Sequence, residues 1–373
     1  MPDVFDAAKI FLEYVKKAYP EDIAIVAYYG SYAQGAATKR SDLDLFFIPA
    51  TDRGYKAAIS FILADISFDF WPISWERAEK MATFEESKTT IIADSKLLYA
   101  RNNEDHAKFM KLRETTARMQ EPTNAAGMFE KAEAELREAY VHLYNLSRAD
   151  ESKGITFYKT EACVIIEHVL QSLALLNGTY YTRGFGKNRE QLLGLPIRTA
   201  RLEPLMDTIL RSSDRQVVVQ ASEQLAADVL ELIEAQKQQN VGLPSYAERM
   251  SGFYEELKGV LDKIVTACEM NDYDTAFFAS IQAQEETARF LYFAETGQWP
   301  CSFISNGSYQ SIFRGLGLPD LVVLLNPDDL SPLQAAVEQF GSSLEQHLRN
   351  QGVPINRFAN IGELAAFLNV RQP

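Results

Sequence analysis

In the first twenty residues, MPDVFDAAKIFLEYVKKAYP, apolar side chains recur three and four apart, which predicts an amphipathic helix. A short β-branched and aromatic run follows, Ile23 to Tyr29, and reads as a buried strand that turns at Gly30-Ser31. The next stretch is small and polar up to DLDLFFIP, where aspartates and apolar residues alternate with period two before Pro49 ends the strand. A helix is expected around Tyr55 to Ala64 and a third strand over Ile66 to Ile73.

From about Glu104 the period changes to 3.6 in long segments such as MFEKAEAELREAYVHLYNL and FYKTEACVIIEHVLQSLALLNG. The expected fold is therefore α+β: a small mixed sheet with flanking helices, then an all-α region of one or two related bundles. Breaks at Glu121-Pro122 and at Asn240 to Pro244 suggest domains at 1–120, 121–242 and 243–373. A faint echo accompanies that split. EHVLQSLALLNG ends at Gly178 and precedes LGLP at 193–196, while ETARFLYFAETG ends at Gly297 and precedes LGLP at 316–319. Duplication and independent origin both account for it.

Composition narrows the class. A 373-residue chain with 47% hydrophobic and 24% charged residues can build more than one core and has no low-complexity tract. An acidic start and the absence of any apolar run of membrane-spanning length point to a soluble, cytoplasmic protein. Cys163, Cys268 and Cys301 are far apart and odd in number, which fits a reducing compartment and small core residues. The four histidines, His106, His142, His168 and His347, lack metal-ligand spacing. A net charge of −14 argues against gripping a nucleic-acid polymer and suits a cationic partner.

The chemistry concentrates between Tyr29 and Ile48. Asp42 and Asp44 lie two apart on an extended segment, so both carboxylates share one face while Leu43 and Leu45 take the other. Such a pair can hold Mg²⁺ against a triphosphate, and two ions would activate the attacking oxygen and stabilise the leaving pyrophosphate. Gly30 permits close backbone approach, and Ser31 offers a hydroxyl and an N–H to a phosphate oxygen. Phe68-Asp69-Phe70 supplies a third carboxylate between two apolar residues, and Lys39 and Arg40 stand near enough in sequence to reach phosphates.

Gly-Ser, a loop, Asp-x-Asp on a strand and a later apolar-Asp-apolar strand resemble the DNA polymerase β nucleotidyltransferase superfamily, and the helices that follow look like those of antibiotic nucleotidyltransferases acting on aminoglycosides or lincosamides. The matching residues are Gly30, Ser31, Asp42, Asp44 and Asp69. The resemblance implies a transferase with two magnesium ions held by those aspartates. It would move AMP from ATP to a hydroxyl of a small cationic acceptor such as an aminoglycoside, releasing pyrophosphate.

It also implies a carboxylate base, for which Glu161 or Glu167 is the candidate, with Asp69 an alternative, and it suggests Lys159 as a triphosphate ligand beside Arg40. Tyr180, Tyr181 and Phe185, next to Arg183 and Lys187, fit either stacking of a base or sugar or packing between domains. Trp71, Trp75 and Trp299 are expected in the core or at an interface. Adenylyl transfer to a protein or RNA end, and a non-catalytic nucleotide-binding scaffold, are the other readings. Leu- and Phe-rich helical faces beyond residue 245 would suit a homodimer.

Overall fold

The computed structural model describes residues 4–39, 41–150, 152–239, 245–300 and 309–370. They divide into two compact units, residues 1–236 and 237–373.

The first unit opens with α1 (Val4–Ala18), β1 (Ile23–Tyr28), the single turn α2 (Gly30–Ala33) and β2 (Leu45–Pro49). β3 (Ile59–Leu63), β4 (Ile66–Pro72), α3 (Trp75–Ala82), α4 (Thr89–Ala93), β5 (Lys96–Ala100) and α5 (Asn103–Met119) complete the sheet region. The five strands lie in the order β3-β4-β2-β1-β5, with β2 and β4 parallel and the other neighbours antiparallel. Alternation along β2 sends Leu45 and Phe47 to the face covered by α1, and Phe46 and Ile48 to the face covered by α3, α4 and α5. Phe11 of α1 meets Phe47 and Phe70 with ring centroids 5.8 Å and 4.9 Å away.

The expected helix over Tyr55 to Ala64 is corrected: Asp52–Ala57 form a short 3₁₀ turn, and Ile59–Leu63 are an edge strand paired with β4. The hairpin turns on Ala64 and Asp65, both at positive φ (49° and 64°). Two-residue hairpin turns of this kind favour Asn-Gly or Asp-Gly, so Ala-Asp gave no turn signal.

The helical part of this unit comprises α6 (Ala125–Ser147), α7 (Ile155–Leu176), α8 (Arg189–Leu193), α9 (Leu202–Arg211) and α10 (Arg215–Gln239). α6 and α7 run antiparallel, joined by Ser172 Oγ donating to the Ala132 carbonyl and by two His–Glu pairs, His142 with Glu161 and His168 with Glu135. Their core includes Phe84 from the sheet region, so the two parts share one apolar cluster.

The second unit holds α11 (Tyr246–Arg249), α12 (Phe253–Glu269), α13 (Tyr273–Thr296), α14 (Gln310–Gly315), α15 (Ser331–Asn350) and α16 (Ile361–Val370). Its core, from Met250 through Leu291 and Phe340 to Val353, is its own. Gly178 after α7 and Gly297 after α13 both take the left-handed conformation (φ 60° and 75°), which ends each helix in the same way. Among the described residues no helix is long and apolar enough to cross a membrane. Cys301 and the break at 240–244 lie outside the described residues.

Candidate active site

Tyr29 follows β1, and its N–H donates to the Asp44 carbonyl at 2.9 Å, which keeps the paired chains together just before β2 begins. Gly30 follows with φ of 73°, and a Cβ there would collide with the Asp44 carboxylate, whose Cγ would stand only 2.8 Å away. The backbone turn and the carboxylate therefore occupy each other's space, which only glycine allows.

Asp42 and Asp44 flank Leu43, which is fully buried on the α1 side of the sheet. Alternation then places both aspartates on the opposite face, where they line a cleft of about 1040 Å³ together with Gly30, Ser31, Thr38 and Ser41. Asp44 is pushed up to about 6, first by its partial burial and then by the charge of Asp42. Tyr29, packed against Trp71 and accepting its indole N–H at 3.2 Å, is pushed up to about 12 by burial and by the Asp44 charge.

Asp69 shares that face, one strand away. The β2–β4 register sets Leu45 beside Phe70 and thus Asp44 beside Asp69, while Phe68 and Phe70 point into the α1-side core. The Asp69 carboxylate is exposed and accepts the Ser60 hydroxyl at 2.7 Å. Among the described residues no three His, Cys, Asp or Glu side chains converge closely enough to hold a metal. Asp42 and Asp44 form the pair that lines the cleft, and Asp69, with Oδ1 engaged by Ser60, lies outside that lining.

The far wall comes from the helical part: Gln171 of α7 and the segment Tyr181 to Lys187. Gln34 bridges the walls, its amide donating to the Thr182 carbonyl. Gln191 steadies the segment by accepting from the Thr182 N–H and donating to the Tyr180 carbonyl. Beside Gln34, Thr182 and Arg183 opens a second hollow of about 560 Å³, lined also by Asp94, Lys96 and Arg113. Asp94 is fixed there by the hydroxyls of Thr90 and Tyr180 at 2.9 Å and 3.1 Å.

Two expected site residues do not line the cleft. Glu161 is in the first third of α7, ten residues from Gln171 or roughly 15 Å along the axis. Its Oε2 accepts from Asn145 at 3.0 Å and pairs with His142 Nδ1 at 2.8 Å, clasping α6 to α7 outside the cleft. Lys159 donates its ammonium to the Ile209 carbonyl and so ties α7 to α9. Glu167 is exposed and Lys39 does not line the cleft. Arg40 lies outside the described residues.

The cations that do line it are Lys88, at the start of α4, and Arg183 and Lys187. Lys88 and Gln171 carried no sequence signal, since nothing but the packing of α4 and α7 brings them to the aspartates. Tyr181 is buried, its hydroxyl on the Leu170 carbonyl at 2.9 Å, whereas Phe185 is half-buried on the cleft wall.

Residues 8–94 match the model of a nucleotidyltransferase domain, and residues 106–239 that of the KNTase (kanamycin nucleotidyltransferase) C-terminal domain. No curated protein matches. Among solved structures, a nucleotidyltransferase-like protein from Exiguobacterium sibiricum 255-15 is similar over 63% of this chain and 77% of that one, at 12% identity and a TM-score of 0.35.

Proposed function

Since this chain is a nucleotidyltransferase of the DNA polymerase β-like superfamily, with a nucleoside triphosphate as substrate, we propose that it moves AMP from ATP to a hydroxyl of a small cationic acceptor such as an aminoglycoside. The observation that carries this reading is the Asp42–Asp44 pair on one strand face, seated against Gly30 in a cleft whose other wall is the KNTase-like helical part. At about 1040 Å³ the cleft is at the upper end of small-molecule sites, with room for a nucleotide and a second substrate.

The donor set fits magnesium: two hard carboxylates side by side, one held above its ordinary range because its charge is buried next to another anion. Magnesium bound to Asp42 and Asp44 would neutralise phosphate oxygens and make the acceptor hydroxyl more acidic. Ser31, Lys88, Arg183 and Lys187 are placed to hold the triphosphate oxygens. The acceptor oxygen attacks the α-phosphorus, the bond to the β-phosphate oxygen breaks, and pyrophosphate leaves. On this reading Asp69, exposed on the same sheet face beside the cleft lining, takes the hydroxyl proton. The match to the KNTase C-terminal domain supports an aminoglycoside-like cationic acceptor.

The test is pyrophosphate release from ATP and Mg²⁺ with a panel of aminoglycosides and lincosamides, and Asp44→Ala as control. Release that requires one drug and vanishes in the variant and in EDTA is expected. Magnesium-dependent ATP binding with no release for any drug would move the acceptor to a macromolecule.

A further inference from the structure

Beyond the carboxylates and cations, the cleft contains one buried polar side chain to which the chemistry above gives no task. Gln171 is only 3% exposed and sits in a stretch of α7 that is otherwise core: Val169, Leu170, Leu173, Ala174 and Leu175 are all buried. Its polar neighbours are satisfied, Ser172 by the Ala132 carbonyl and Tyr181 by the Leu170 carbonyl. The Gln171 amide makes no hydrogen bond among the described residues, and it lines the cleft. Leucine would complete the apolar packing of this stretch, so a carboxamide that opens onto the cleft instead points to a ligand that exchanges hydrogen bonds with it.

Resting on the nucleotidyl-transfer reading, we propose that Gln171 reads the nucleobase of the incoming triphosphate and selects adenine. A carboxamide presents one acceptor beside two donors. On its N7 edge adenine offers the complement, its 6-amino hydrogen to the amide oxygen and N7 to the amide nitrogen, whereas guanine presents two acceptors there. Phe185 lines the same wall, its ring packed edge-on against Tyr181 (centroids 5.5 Å apart, 74°), which fixes a flat apolar surface for the base. Arg183 and Lys187, on the same segment, line the cleft that Asp42 and Asp44 also line. On this reading the helical half recognises the base, and its Arg183 and Lys187 share the triphosphate with the sheet half.

The experiment is calorimetric binding, with Mg²⁺, of ATP, GTP, CTP, UTP and purine riboside triphosphate (ATP without its 6-amino group) to the full chain and to Gln171→Leu and Phe185→Leu. The intact protein should prefer ATP, and loss of the 6-amino group should weaken binding about ten- to hundredfold. In Gln171→Leu, ATP should bind as weakly as purine riboside triphosphate, while Phe185→Leu should weaken all five alike. Because the analogue comparison is made on the unmutated protein, it stands even if the leucine variant fails to fold.

Equal affinity of the intact protein for ATP and its 6-desamino analogue overturns the proposal, as does a Gln171→Leu variant that keeps the ATP preference or changes only the acceptor KM. Base-selective binding without pyrophosphate release from any acceptor would sink the transfer reading and leave this one standing. Release with an unchanged base preference would do the reverse.

Discussion

At the scale of single residues, the contact between Gly30 and Asp44 ties function to instability. A carboxyl whose pKa in the folded protein is raised to about 6 favours folding below its unfolded value near 4, and that contribution fades as pH rises through 6. The metal-free protein should therefore lose stability across that window, and Mg²⁺ should restore more melting temperature at pH 7.5 than at pH 5. Asp44→Asn removes the buried charge. We expect it to raise the metal-free melting temperature at pH 7.5 by about 2–4 °C, on the order of 1 kcal/mol after solvent screening, while abolishing turnover. Gly30→Ala should act oppositely, costing about 1–3 kcal/mol by the left-handed backbone and the Asp44 collision, and lowering kcat with it. The carboxylate face was legible because Leu43 and Leu45 alternate with the aspartates. That Glu161 lies away from the cleft was not legible, because helical periodicity fixes a direction around the axis and leaves open how far along the axis the cleft lies.

Among the elements, α6 and α7 show what Glu161 does instead. Its carboxylate holds two partners from α6, so Glu161→Gln should lower the melting temperature by a few degrees, about 1–2 kcal/mol, with kcat/KM changed less than about twofold. A hundredfold fall in kcat at unchanged stability, measured alongside the melt, would put Glu161 in the chemistry after all. β3 illustrates a different limit of sequence reading. Ile59 to Leu63 has no clean alternation because Ile62 joins Ser60 on the otherwise polar face, and such a short run is ambiguous between strand and helix until its partner is known. Long helices were readable throughout, since their periodic stripes repeat over five or six turns, as in α7 and α13.

For the whole molecule, the separate core of residues 237–373 has a thermodynamic signature. Its apolar cluster contains no residue of the first unit's clusters, so calorimetry should resolve two unfolding transitions, with ATP and Mg²⁺ raising only the one that belongs to residues 1–236. A single transition that shifts as one with ligand would contradict this division. The cleft's own charge was not legible from the total of −14, because Lys88, Arg183 and Lys187 are scattered in sequence and gathered only by folding. That scattering also bears on inheritance. The aspartate pair and the Gly30 turn occupy 30–44, whereas the opposite wall is Gln171 and one short segment, 181–187, steadied by Gln34 and Gln191. Changes in that segment can re-address the same reaction to new molecules without touching the strands that perform it, so descendants of one ancestor would diverge there first.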